Sequence, residues 1–250
     1  MKLALLALGL VAACRASAED YPIGPGGSGG GGGRGVDAGL GDTGADADGD
    51  AGVPVTGRVC VIVDLRTPTV CSSADASRLT VSIGTTRTAT PNARGDFTIN
   101  APLGPFLWRV SGTNFNTSIV PVSGDNTLPV ISDVLYMEML AANHVVRPAE
   151  EVTSALVRVV QGGTTAAVGV LATSNPATAD LPLYDDNDVL IWRSNNLGTG
   201  SNGAVWLPDL PVASGGTGAV TVTLTPPQGA AVTTVVTVVD QAITFVTVEL

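Results

Sequence analysis

Asn92-Ala93-Arg94-Gly95-Asp96-Phe97-Thr98-Ile99 is the stretch that decides the fold, because a turn built around glycine leads directly into alternating apolar residues. The same plan returns in Ser201-Asn202-Gly203-Ala204-Val205-Trp206-Leu207-Pro208-Asp209-Leu210-Pro211. In this second stretch Leu210-Pro211 occupies the place that Leu103-Gly104-Pro105 has in the first. A repeated pattern of this kind indicates two copies of one β unit.

Composition and charge narrow the class of protein. The chain has 250 residues, of which 44% are hydrophobic and only 4% aromatic, so the sequence predicts small β domains with aliphatic cores. The net charge is −10. This acidic balance argues against binding to nucleic acid, which requires clustered cations, and against electrostatic adsorption to anionic lipid. We therefore interpret the acidic surface as one that keeps an exported protein soluble.

The first thirteen residues have the pattern of a signal peptide. Lys2 precedes the apolar run 3–13, which is too short to span a bilayer as a helix. The run ends in Val11-Ala12-Ala13-Cys14, which resembles the lipobox of bacterial lipoproteins and implies that Cys14 carries a lipid anchor to the membrane. Arg15 after the cysteine suggests, by the same resemblance, the outer membrane or cell surface. Cleavage after Ala18 is the alternative, and it would give a soluble secreted or periplasmic protein.

Residues 14–52 are interpreted as a disordered tether that follows the anchor. The segment is mostly Gly with Ala and Asp and shows no apolar periodicity, so it cannot bury enough surface to offset its ordering entropy. Its aspartates are spaced somewhat like those of calcium loops, but no bidentate Glu follows at the required distance. The sequence therefore favours a solvated linker over a calcium site.

Residues 53–130 are predicted to form the first β-sandwich domain. Val55–Val63 has the β-branched content of a strand, and five further short strands are expected after it. Short strands separated by Gly, Pro and Asn turns are typical of an antiparallel sandwich. The expected strands are 79–83, 85–90, 97–99, 106–110 and 118–122.

Four segments of this region resemble the carboxypeptidase regulatory-like domain. They are Val55-Thr56-Gly57-Arg58-Val59, Leu79-Thr80-Val81, Gly95-Asp96-Phe97-Thr98-Ile99, and Gly104 before Phe106-Leu107-Trp108-Arg109-Val110. The resemblance implies a seven-stranded, transthyretin-like (prealbumin-like) Greek-key sandwich. The run from Gly57-Arg58-Val59-Cys60 to Cys71 is similar to tandem-domain exported lipoproteins of myxobacteria. The resemblance extends over residues 53–250 and brings no catalytic residues.

Cys60 and Cys71 are the only cysteines besides Cys14. In an exported protein such a pair predicts a disulfide that ties the first strand to the loop after it. A redox role would need a closely spaced, activated pair, and a metal site would need further ligands nearby. We therefore expect the pair to be structural.

Residues 131–152 are predicted to form a linker that contains a short helix over Tyr136–His144, with Asn143 as its C-terminal stop. The second β-sandwich domain is expected to span 153–250. Its predicted strands are 155–160, 167–171, 189–192, 204–207, 220–224, 232–239 and 243–248, seven in number like those implied for the first domain.

The candidate site residues are few. Asp185, Asp186 and Asp188 are weak calcium candidates, since adjacent carboxylates can bind calcium, but loops between strands commonly carry solvated charges. His144, the sole histidine, has no evident nucleophile partner, and the Arg94-Gly95-Asp96 tripeptide is explained by its turn. Three tryptophans could stack on sugar rings if they were exposed, but each lies in a predicted strand, so a core role is expected for all of them. They are Trp108, Trp192 and Trp206.

Together these patterns predict a non-enzymatic cell-envelope lipoprotein without a cofactor, whose β-sandwich modules act as binding or spacer domains. Polysaccharide or another envelope protein is the expected class of ligand, and we expect a monomer. One alternative is a calcium-stabilised surface adhesin. The other is an exported hydrolase built from carboxylates, which would require Asp64, Asp96 or the Asp185 group to converge in a pocket with perturbed pKa values.

Overall fold

The computed structural model describes residues 52–123, 126–146, 151–179, 181–194 and 197–250. The predicted signal peptide, Cys14 and the predicted tether up to residue 51 lie outside the described residues. Contacts group Asp48–Leu250 into a single compact unit, and the two hydrophobic clusters formed by the described residues lie within it. This unit therefore has a core of its own.

The first half of the unit consists of short strands, and each predicted strand there is matched by an observed one. The strand after Pro121 was not predicted from the sequence, since Pro129 interrupts its apolar run. The strands are β1 Val53–Ile62, β2 Thr80–Ile83, β3 Arg87–Ala89, β4 Asp96–Ala101, β5 Leu107–Gly112, β6 Phe115–Pro121 and β7 Thr127–Ile131.

Helix α1 spans Asp133–Ala142 and connects the two halves. It begins three residues before the predicted start because the Ser132 side chain caps it, accepting from the backbone N–H of Leu135. Asn143 ends the helix as predicted, and its side chain also donates to the carbonyl oxygen of Leu190 at 2.8 Å. The same amide therefore fixes both the helix end and a loop of the second half.

The second half contains the remaining strands, and two of the sequence predictions for it were wrong. Residues 189–192 form no strand and lie in a loop. Of the strand expected at 167–171 only Leu171 is in a strand, because β9 ends at Ala166 and β10 begins at Leu171. The strands are β8 Ser154–Gln161, β9 Thr165–Ala166, β10 Leu171–Asn175, β11 Leu183–Tyr184, β12 Ala204–Leu207, β13 Thr217–Thr225, β14 Val232–Val239 and β15 Ala242–Glu249.

The two halves repeat one strand arrangement. In the first half β1 lies between antiparallel β4 and parallel β7, and in the second half β8 lies between antiparallel β12 and parallel β15. The opposing layers also correspond, because β2, β5 and β6 are ordered as β10, β13 and β14 are. The all-β sandwich class predicted from the sequence is thus confirmed, and the repeat of the organising turn has a structural counterpart.

The two halves share a sheet. β15 pairs in parallel with β8 on one side and with β6 on the other, where Ala242–Thr244 face Thr117–Ile119. Within the described residues this pairing produces a nine-stranded sheet that runs from β11 in the second half to β3 in the first. The segments predicted as 53–130 and 153–250 are therefore connected by backbone hydrogen bonds as well as by the helix.

Two hydrophobic clusters flank this shared sheet. One fills the first sandwich and continues across α1 to Leu156, Trp206 and Phe245, and the other lies between the β12-β8-β15 layer and the β10-β13-β14 layer. The β12-β8-β15 layer is consequently covered on both faces. The equivalent β4-β1 layer of the first half keeps Thr56 and Thr98 exposed on its outer face.

Candidate functional site

The organising turn is fixed by Asn92 and Gly95. The Asn92 side-chain oxygen accepts from the backbone N–H groups of Arg94 and Asp96, at 2.9 and 3.0 Å. Gly95 has φ = 92°, and a Cβ at this position would lie 2.1 Å from the carbonyl oxygen of Val59. The turn therefore requires glycine, both for its left-handed backbone and for its close approach to β1.

A polar hollow of about 860 Å³ lies beside this turn, on the exposed outer face of β1 and β4. Arg58 and Asp96 face each other across the two strands as a cross-strand pair. The Nε of Arg58 donates to the carbonyl oxygen of Arg94, and Asp96 accepts from the Asn92 amide at 3.2 Å. Four threonines also line the hollow, namely Thr56, Thr90, Thr98 and Thr127.

The chemistry of this hollow suits a ligand that carries many hydroxyl groups. Arg58 supplies donors, Asp96 supplies acceptors, and the threonine hydroxyls can do both. A sugar hydroxyl also donates and accepts, so neighbouring hydroxyls can pair with these groups in turn. Because the Arg58 and Asp96 side chains are held by the turn through Arg94 and Asn92, part of the site is preorganised.

The three candidate tryptophans are core residues, as predicted. Trp108 and Trp206 have no exposed surface, and Trp192 is 4% exposed. Trp108 makes edge contacts with Phe97 and Phe106, and Trp206 makes one with Trp192. Their indole faces are therefore unavailable to a sugar ring in this structure.

Asp185 has a structural role. Its carboxylate is fully buried and accepts from the backbone N–H groups of Gly200, Asn202 and Ala204, at 2.7, 2.8 and 2.9 Å. These bonds stabilise the second copy of the organising turn. In the part of the chain that the structure describes, no three His, Cys, Asp or Glu side chains are grouped to hold a metal ion.

Asp186 and Asp188 lie in the loop after Asp185 and bond mainly to their own segment. Asp186 accepts from the backbone N–H of Asn187, and its carboxylate lies 3.6 Å from the Arg193 guanidinium. Asp188 accepts from the backbone N–H of Leu190 at 2.8 Å. The predicted acidic cluster is thus divided among three separate local roles.

Arg66 links the loop after β1 to this acidic loop. Its guanidinium forms a bidentate pair with Asp64, with bonds of 2.8–3.1 Å, and also donates to the carbonyl oxygen of Asp186. The hydrogen bond to Asp64 raises the pKa of Arg66 above its usual value. Only 8% of the Arg66 surface is exposed, so the link is largely shielded from solvent. Sequence reasoning did not single out Arg66.

The predicted disulfide is present between Cys60 and Cys71. It closes the loop that carries Asp64 and Arg66. Cys60 is buried in β1, which fixes one end of this loop to the sheet. The cross-link therefore restrains one of the segments through which the first half contacts the second.

The structure brings some of the other sequence candidates together and keeps others apart. His144 is exposed after the C-terminus of α1, where it has φ = 60°. Asp96 belongs to the organising turn, whereas Asp64 and the Asp185 group lie around Arg66. The Arg94-Gly95-Asp96 tripeptide has its glycine buried against Val59 and its aspartate bonded to Asn92.

The described residues include no helix that is both long enough and apolar enough to cross a bilayer.

Comparisons with known proteins identify no relative. No protein-family model matches the sequence, and no curated protein matches it. Among solved structures the chain is similar to the Bacillus anthracis TIE protein, with 10% sequence identity and a TM-score of 0.23. The match covers 80% of this chain and 34% of that one. At this TM-score the similarity does not define a common fold.

Proposed function

We propose that this protein is a non-enzymatic cell-envelope lipoprotein whose first β sandwich binds a hydroxyl-rich ligand, such as an envelope polysaccharide, in the hollow beside the organising turn. The observation that carries the proposal is the outer face of β1 and β4. This face is polar and exposed in the first half, whereas the equivalent face of the second half is buried. One face of a repeated unit has thus been kept open, and it carries a charged pair and several hydroxyls.

The second half serves in this proposal as a rigid support. Pairing of β15 with β6 and the contact of Arg66 with the carbonyl oxygen of Asp186 hold the two halves together. A spacer of this kind would keep the binding face at a fixed orientation relative to the rest of the folded unit. The resemblance of the first half to carboxypeptidase regulatory-like domains is compatible with a binding or spacer role.

Attachment to the envelope through Cys14 is part of the same proposal, and it rests on the sequence pattern Val11-Ala12-Ala13-Cys14. Acylation of that cysteine can be measured by labelling growing cells with palmitate. We expect the full chain to take up label and the Cys14→Ser variant to take up none. Label that persists in Cys14→Ser, or a mature protein that begins after Ala18, would contradict the lipoprotein assignment.

The binding site is tested with the soluble chain from Arg15 to Leu250, which retains the whole compact unit. We expect this chain to bind a subset of bacterial polysaccharides on a glycan array. Arg58→Ala is expected to weaken that binding at least about tenfold, the equivalent of about 1.4 kcal/mol. Arg109→Ala, which removes an exposed arginine from β5, is the matched control and should bind as the wild type does. Equal binding by the Arg58→Ala variant would exclude the hollow as the site.

A further inference from the structure

β14 (Val232–Val239) is a long edge strand that lacks the charges and prolines that usually protect such strands, and on its open side only the Thr237 carbonyl is bonded, by the Thr244 hydroxyl of β15, among the described contacts. It pairs with β13 on one side, and no described strand pairs with its other side. Its sequence, Val-Thr-Thr-Val-Val-Thr-Val-Val, contains neither a charged residue nor a proline. Native proteins normally guard long edges with charges, prolines, bulges or very short strands, because an open edge is a template for pairing.

The other edge strands in the described part of the chain do carry such protection. β3 has only three residues and begins with Arg87, and β9 and β11 have only two residues each. β4 begins with Asp96, β7 contains Pro129, which has no N–H to donate, and β10 has five residues and is followed by Pro176. β14 is thus exceptional among these edges.

The repeat gives an independent reason to expect a partner at this edge. β6 is the strand of the first half that corresponds to β14, and its equivalent edge is covered by β15. The same position in the second half has no strand from the described residues beside it. In the first unit, then, the edge of β6 accepts a further strand, and β14 offers the equivalent edge in the second unit.

The layer that contains β14 carries no charged residue in its strands although the chain as a whole carries −10, and the nearest charge along the chain is Asp240, directly after Val239. No Asp, Glu, Lys, Arg or His occurs between Leu210 and Val239, nor between Val159 and Ala179, so all three strands of the β10-β13-β14 layer are neutral. Two acidic molecules can approach each other through such a surface with little local repulsion. Val235, at the middle of the edge, is 65% exposed.

We propose that β14 is the contact through which two copies of this chain associate, by antiparallel pairing of β14 with β14 of the second copy. In a two-fold symmetric dimer the same surface of each copy forms the interface, so one unprotected edge per chain is enough. No other edge strand among the described residues is equally unprotected. The resulting dimer would have a continuous β10-β13-β14 layer across the axis. This proposal departs from the monomer expected from sequence, and it does not depend on the proposed ligand.

The hydrogen bonds of β14 also indicate the register. Thr244 donates its hydroxyl to the carbonyl oxygen of Thr237 at 3.0 Å, so that carbonyl points away from β13. Because the direction of backbone polar groups alternates along a strand, those of Thr233 and Val235 point to the same open side. Pairing Thr233 with Val235 of the second copy uses these groups and leaves the bond to Thr237 intact. Thr234 then lies opposite Thr234 of the second copy.

The first test measures molar mass by light scattering across a concentration range of roughly 1 µM to 1 mM. The chain from Arg15 to Leu250 is used, because it keeps the compact unit and lacks Cys14. We expect the mass to rise from one chain to two. Val235→Lys, which places a charge on the edge, should remain a monomer with an unchanged melting temperature. Val134→Lys, at a helical valine that is 60% exposed, is the control and should dimerise like the wild type.

A monomeric wild type over the whole range, a dimeric Val235→Lys variant, or growth beyond two chains would each overturn the two-fold arrangement. The second test locates the register by cross-linking. Directly opposed residues in a non-hydrogen-bonded pair have Cα atoms about 4.5 Å apart, within disulfide reach. Thr234→Cys should therefore form an intermolecular disulfide on mild oxidation at least about tenfold faster than Thr233→Cys. Equal rates for the two variants would refute the proposed register.

Discussion

The two β units share a backbone plan but differ in what covers the outer face of their first sheet. Thr56 and Thr98 of the first unit are exposed, whereas Leu156 and Trp206 occupy the corresponding positions of the second unit and are buried. The inward-facing positions remain apolar in both units. A sandwich thus needs only one apolar face per sheet, and the other face is free to become either a ligand surface or a second interface.

The shared plan depends on the same glycine contact. Gly95 and Gly203 both have positive φ. The carbonyl oxygen of each accepts a hydrogen bond from a valine N–H of the opening strand, Val59 at 2.8 Å and Val159 at 2.7 Å. A Cβ at either glycine would lie within 2.4 Å of the valine carbonyl oxygen. This contact sets the register between the turn and the opening strand in both units.

The largest expected effect on stability comes from replacing Trp206 with threonine, the residue that the first unit has at the corresponding position, Thr98. Trp206→Thr removes a fully buried indole that contacts Tyr136 and Trp192, so it leaves a cavity between the second sheet and α1. We expect the free energy of unfolding to fall by about 3–5 kcal/mol. Urea unfolding at neutral pH measures this loss, and a loss under about 1 kcal/mol would show that the outer face of the second sheet is not a true interface.

The disulfide is the next largest difference, because Cys60 of the first unit corresponds to Val160 of the second. Replacing Cys60 with Val and Cys71 with Ser opens the loop that carries Arg66. The chain-entropy model predicts a loss of about 2–3 kcal/mol for a loop of this length. Thermal unfolding with and without a reductant is the measurement. The wild type should lose stability on reduction, and the double variant should be insensitive to it.

The two turns also differ in the side chain that caps them. Asn92 caps its own turn, whereas Asp185 caps the second turn from a distant position in the chain and accepts three backbone N–H groups while fully buried. We expect Asp185→Asn to cost about 1–3 kcal/mol, since an amide nitrogen would oppose at least one of these donors. Urea unfolding provides the value, with Asp188→Asn, in the exposed loop, as the control.

Calcium provides a separate check on the same carboxylate. Because both oxygens of Asp185 already accept from the backbone, we expect millimolar calcium to leave the melting temperature unchanged. A rise that saturates with calcium concentration would instead favour the calcium-stabilised adhesin. Such a rise should then be absent from Asp185→Asn.

Sequence reasoning recovered the features that have local signals and missed those that depend on distant parts of the chain. The glycine turns, the β-branched strands, the cysteine pair and the Asn143 stop are all encoded within a few residues. The apolar residues 189–192 predict a strand, but the Asn143 side chain holds the backbone of Trp192 and Leu190 in a loop. That contact joins positions almost fifty residues apart and leaves no local pattern.

The candidate binding face was likewise overlooked, although its signal is present in the repeat. Arg58-Val59 and Arg158-Val159 align the two opening strands, and the alignment places Thr56 against Leu156. A polar residue in one copy and an apolar one in the other indicates that the two faces have different surroundings. The shared sheet could not be foreseen in this way, because the pairing of β15 with β6 joins the two units through three residues on each strand.

The smallest expected effect on stability comes from the reverse replacement, in which Thr98 of the first unit becomes tryptophan, the residue at the corresponding position of the second unit. Thr98→Trp places the side chain of the second unit on the open face of the first, where Thr98 is exposed among the described residues, so stability should change by no more than about 0.5 kcal/mol. Binding to the polysaccharides that the glycan array identifies should nevertheless fall, since an indole would obstruct the hollow beside Arg58 and Asp96. Thr173→Trp, at an exposed threonine of β10, is the control for a surface indole elsewhere. If Thr98→Trp unfolded the protein as readily as Trp206→Thr, the two outer faces would have the same structural role and the open face could not be assigned to a ligand.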